Sequence, residues 1–121
     1  MTEQDERTIY EWAVPELAEL TQWDLRKSKG LPPTAMWNQR HNAKILHHLD
    51  MNFAFDVCMT RLKNESVSLV TIMYTPSTEG CGGNPYVCSI DCAADGAYDD
   101  VGATANEAFY SALLAYIKGV K

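Results

Sequence analysis

Residues 66–74 read SVSLVTIMY and residues 86–92 read YVCSIDC, and the pairing of these two runs decides the fold. Both are dense in β-branched and aromatic types, which suit the pleated, half-buried surface of a sheet. The eleven residues between them, Thr75 to Pro85, are too few for the crossover of a parallel pair, so an antiparallel hairpin is predicted. In that connection Gly82, Gly83 and Asn84 supply positive φ, and Pro85 blocks ladder pairing just before the second strand. The connection is long for a hairpin, and long loops are often functional.

Working outward toward the C-terminus, AADGAYDDVG (93–102) reads as an acidic turn region. A helix follows. Thr104 with Glu107 fits a capping box, Ala105, Phe109, Ala112, Leu113, Tyr116 and Val120 form one apolar stripe, and Gly119 closes it.

Toward the N-terminus, residues 41–63 form a helical block whose buried face is marked by Leu46, Leu49, Phe53, Val57 and Leu62. It reads equally as one long helix or as two pieces, with Asp50 capping a helix that starts at Met51. Residues 2–27 carry Tyr10, Val14, Leu17, Leu20 and Trp23 at helical spacing. Pro15 interrupts them, and the favoured reading has it open a second helix that runs to about Lys27. SKGLPPT (28–34) is then a linker between the N-terminal helices and the rest of a single domain. The fold class expected is α+β: helices packed on a small antiparallel hairpin sheet, in the order α-α-β-β-α. A two-stranded sheet needs cover or further strands, so extension by a second copy, a homodimer, is part of this expectation.

The chain has 121 residues, 46% of them hydrophobic, enough for a core without disulfide staples. It has no run of eighteen apolar residues, and MTEQDERTIY is polar, so neither a membrane span nor a signal peptide is expected. A cytoplasmic, thiol-reducing setting follows. The net charge is −6: residues 1–30 carry seven acids against four bases, 31–63 two against four, and 64–121 seven against two. With only Arg40, Lys44, Arg61 and Lys63 near a basic cluster, direct nucleic-acid binding is disfavoured, whereas docking on a basic protein surface is not.

Four cysteines and three histidines invite a zinc reading. Only Cys88 and Cys92 are spaced as a knuckle, with Cys81 seven residues before Cys88 and Cys58 in the helical block. On a strand, Cys88 and Cys92 share a face with Tyr86 and Ile90 and read more simply as small buried thiols. His41, His47 and His48 lack a metalloprotease spacing and read as surface residues. Whether the four cysteines hold metal stays open here. Redox chemistry would want CxxC or a nearby cation, and Glu79 and Asp91 are acids. The glycines of EGCGGN lead into a strand rather than the Lys-Ser/Thr and helix of a phosphate-binding loop. Asp91, Asp95, Asp99 and Asp100 could pair as general acid and base, but flanking glycine and alanine suggest a solvated turn. No catalytic constellation stands out, and a non-enzymatic protein without cofactors is expected.

The segment VGATANEAFYSALLAYIKG is superficially similar to the closing helix of double-stranded RNA-binding domains. Thr104-Ala105-Asn106-Glu107 stands where that family places a phosphate-contacting lysine pair, so only topology is implied. Residues 35–120 resemble more closely the small phage and prophage "ABA-sandwich" proteins. The resemblance is carried by Met36-Trp37-Asn38, by the aspartate-led run from Asp50 to Val57, by two strands, and by Tyr98 ahead of Gly102 to Phe109. It departs from that family in lacking a Gly-Trp near the N-terminal helix. The resemblance implies a viral accessory protein acting in a bacterial cytoplasm, with no catalytic residues to carry over.

The function expected is therefore binding, as an inhibitor of a host defence system (anti-CRISPR or another anti-defence role) that docks an acidic surface on a basic groove of an effector. Glu79, Asp95, Asp99 and Asp100 are the candidate contacts, with Asn84 and Tyr86 beside the long loop. The alternatives are a nucleotide-signal binder using the glycine-rich loop and a zinc-stabilised structural protein.

Overall fold

The computed structural model describes residues 2–20, 22–37, 42–65, 67–75, 84–93 and 96–119. Two runs from the sequence pair as anticipated. β4 (Val67–Tyr74) and β5 (Tyr86–Cys92) are antiparallel, with Val70 opposite Ile90 and Ile72 opposite Cys88. The register shifts between Val67 and Leu69, a bulge at the start of β4.

The rest departs from a hairpin under helices. The acidic turn expected at AADGAYDDVG is instead largely strand: its last seven residues form β6 (Gly96–Gly102), antiparallel to β5 with Ile90 opposite Tyr98. Gly and Asp disfavour a strand, but the edge of β5 supplies ladder hydrogen bonds to alternate residues of β6, and Tyr98 supplies a buried anchor.

A second three-stranded antiparallel sheet lies in the N-terminal half: β1 (Asp24–Arg26), β2 (Thr34–Trp37) and β3 (Asn42–Ile45). The predicted order α-α-β-β-α is thus replaced by helices with two separate three-stranded sheets. α1 (Glu3–Ala13) ends at Val14, and Pro15 opens α2 (Pro15–Ala18) as its first residue, but α2 stops at Ala18 instead of running to Lys27. Trp23 and Leu25 stand two apart, the strand period, and both are buried. Their spacing from Leu17 and Leu20 also satisfies a helix, and β pairing with β2 decides between the two. The 28–34 stretch joins β1 to β2, with Thr34 opening β2.

The block 41–63 is likewise not one helix. β3 occupies its start, and Asp50 caps α3 (Met51–Phe53) by accepting the Phe53 N–H at Oδ1, 2.9 Å. A π-helical turn (Ala54–Cys58) leads into α4 (Met59–Asn64). The final helix α5 (Ala105–Lys118) is as expected: Thr104 Oγ1 accepts the Glu107 N–H at 3.2 Å, and Gly119 ends the helix with φ +70°. Glu107 reaches back to the Ala103 N–H, at 2.9 Å, one residue before the cap.

One buried cluster runs through both sheets and the helices, from Ile9, Leu17 and Leu25 to Ile90, Phe109 and Leu113. α5 lies on the face of β4–β6 that carries Cys88, Ile90 and Tyr98, and α1 packs against α5. Tyr98 meets Tyr116 edge-on at 5.6 Å. The closest approach is at Gly102, where an added Cβ would strike the backbone of α5 at Ala108 and lie 2.6 Å from Glu107 Cβ.

Candidate functional site

Alternation along β4–β6 sorts side chains between two faces. Val70, Ile72, Cys88, Ile90 and Tyr98 point to the core. The opposite face is built from Leu69, Thr71 and Met73 of β4, Val87, Ser89 and Asp91 of β5, and Ala97, Asp99 and Val101 of β6, joined by the registers Leu69↔Asp91, Met73↔Val87, Val87↔Val101 and Asp91↔Ala97. This face is open to solvent: Leu69 is 57% and Met73 48% exposed. An antiparallel sheet with one solvated face ordinarily alternates apolar-in and polar-out, and β4 breaks that rule by being apolar on both sides. The violation is visible in SVSLVTIMY itself, but it becomes a surface only once β6 and α5 fix which side is covered.

The sequence candidates fall around this sheet. Asp99 lies on the open face, while Asp100, opposite Cys88, lies on the side of Tyr98 and Gly102. The two acids are both exposed but do not form one cluster; Asp100 Oδ1 accepts the Val101 N–H at 2.8 Å. Asn84 precedes β5, and Tyr86 opens it, its ring 5.0 Å from that of the exposed Tyr74. Glu79, Asp95, Cys81, His41 and the glycines of EGCGGN lie outside the described residues.

Of the described thiols, those of Cys58 and Cys88 lie in the core, and Cys92 is half-buried. Cys58 and Cys88 are fully buried, and burial pushes each thiol up to about 12, with the charge of Asp99 adding to the effect on Cys88. A thiol held protonated at neutral pH is a poor nucleophile. Tyr10, Tyr110 and Tyr116 are raised as well, burial being the first cause in each. Their hydroxyls serve structure: Tyr10 donates to the His47 carbonyl, Tyr110 to the Asp50 carbonyl at 2.6 Å, and Tyr116 to Glu65 Oε1 at 2.8 Å. His47 and His48 are exposed, the former stacked on Phe53 at 5.7 Å. Among the described residues no three His, Cys, Asp or Glu side chains are grouped to hold a metal ion, and no helix is long and apolar enough to cross a membrane.

A pocket of about 410 Å³ lies on another part of the molecule, between α1, the β1–β2 connection, the residues before α3 and the first turn of α5. Its walls come from four segments far apart in sequence, which is why no local pattern announces it. No protein-family model, curated protein or solved structure matches this chain.

Proposed function

We propose that this chain is a non-enzymatic binding protein that docks a protein partner through the open face of β4–β6. The observation that carries the reading is that this face keeps Leu69 and Met73 exposed, Met73 in one row with Val87 and Val101 and Leu69 in a row with Asp91 and Ala97, with Thr71, Ser89 and Asp99 in the row between them. Large apolar side chains exposed among polar residues on one face are characteristic of protein interaction sites. The acids select the partner's charge. With a net charge of −6, the chain favours a basic surface over an acidic one and is repelled by nucleic acid. The outer edge of β4, eight residues long, adds backbone groups to which a partner strand or the β4 of a second copy can pair.

The resemblance of residues 35–120 to small phage proteins directs the search to a bacterial defence effector with a basic groove, for which this acidic surface would stand in for nucleic acid. The experiment is capture from a bacterial lysate containing such effectors, repeated in rising salt with two variants. Leu69→Arg with Met73→Arg removes the exposed apolar side chains, and reversal of Asp91 and Asp99 removes the charge on that face. The reading expects a captured effector lost with either variant and released by salt. Capture indifferent to both variants refutes it.

A further inference from the structure

We propose that the pocket beneath the β1–β2 connection binds a small zwitterion with an apolar body, of the free α-amino acid class. Its volume of about 410 Å³ falls among those of small-molecule sites, and Leu31, Pro33 and Leu49 provide an apolar wall. The chemistry of the ligand follows from the polar groups that the protein leaves unmatched there. Tyr10 has committed its hydroxyl proton to the His47 carbonyl, and Asp50 Oδ1 already caps α3. Asn106 Oδ1, by contrast, is buried with no hydrogen-bond partner. Glu6 Oε2 is buried too, but the ammonium of Lys27 already pairs with it, so the unmatched acceptor is that of Asn106. A buried acceptor without a donor is rare in folded proteins, so the pocket calls for a ligand with an N–H donor at this point.

Charge narrows the choice. Glu6 and Asp50 line the pocket against the single ammonium of Lys27, so its carboxylates outnumber its ammonium and suit a ligand ammonium. A bare polycation fits poorly. Lys27, while paired with Glu6, adds a full positive charge at the rim. An α-amino acid meets both demands, its ammonium on Asn106 Oδ1, its carboxylate joining the Lys27–Glu6 pair at the ammonium of Lys27, its side chain along Leu31 and Leu49. This site is independent of the open sheet face, and its failure leaves that reading standing.

The test titrates the full chain with leucine, leucinamide, N-acetylleucine and spermidine by calorimetry, with amide chemical shifts reporting the location. Leucine is expected to bind saturably and to shift residues around Asn106 and Lys27, and N-acetylleucine and spermidine to bind at least tenfold more weakly. Asn106→Leu is expected to weaken leucine at least tenfold and Asn106→Asp, which keeps the shape and adds charge, to tighten it. Lys27→Met is expected to weaken leucine and leave leucinamide unchanged. The proposal is overturned if leucine does not bind, if N-acetylleucine or spermidine matches it, if leucinamide matches it in the unmodified chain, or if both Asn106 variants bind as the parent does.

Discussion

Gly102 is the residue at which the β6 strand and α5 have no room to spare. Because an alanine Cβ would meet helix backbone instead of a movable side chain, Gly102→Ala should destabilise the fold by about 1–3 kcal/mol, the usual cost of overpacking. Urea unfolding checks this through the midpoint, and an unchanged midpoint would mean the two elements are not so closely held. The buried thiols make a second prediction. Their ordinary pKa is 9.0, and Cys58 and Cys88 are each raised to about 12 in the fold, so between these values the unfolded chain has lost protons that the native state keeps. Stability from this source is fully present below pH 9 and falls as the pH rises toward 12, with a slope approaching about 1.4 kcal/mol per pH unit for each thiol. Melting temperatures measured between pH 8 and pH 10.5 should fall less steeply for a Cys58→Ala, Cys88→Ala variant than for the parent, as is assessed from the slopes and not the absolute values. Single residues were readable in sequence where their role is local. Asp50, Thr104 and Gly119 each bond or bend only their own turn, whereas the need for glycine at 102 depends on a helix that arrives later in the chain.

Among the elements, Glu65 at the end of α4 joins three helices. Its Oε1 accepts Trp12 Nε1–H of α1 at 3.1 Å and the Tyr116 hydroxyl of α5 at 2.8 Å, and its Oε2 accepts Arg61 Nε–H at 3.0 Å. Arg61 also lies over the Trp12 ring, 5.1 Å from its centroid. Glu65→Ala should cost about 2 kcal/mol, since it strands several partly buried donors that water compensates only in part, and Glu65→Gln about half as much. Denaturant unfolding of the pair tests the order; equal stability of all three proteins would mean that the acceptor is dispensable. The elements legible in sequence were those with one period and one cap, α5 above all, together with β4 and β5. The missed ones were the short strands. β1 and β3 have three and four residues each and take their conformation from pairing with β2, against residues whose spacing also fits a helix. β6 was hidden by Gly and Asp, and its strand character comes from the edge of β5.

At the scale of the molecule, both sheets and the helices share one buried cluster, while one face of β4–β6 keeps large apolar side chains in water. Exposure of that kind carries no benefit to the isolated chain, which makes it the surface most open to change without loss of fold. Leu69→Arg with Met73→Arg should leave the unfolding free energy within about 0.5 kcal/mol of the parent, the usual range for surface substitutions. Function should respond in the opposite way. The measurement that tests the central claim most directly is therefore capture from lysate by the parent and by this folded double variant, quantified side by side by mass spectrometry at low and high salt. The account predicts a basic protein retained by the parent at low salt, released at high salt and absent from the variant. An identical set of proteins retained by both chains would contradict it.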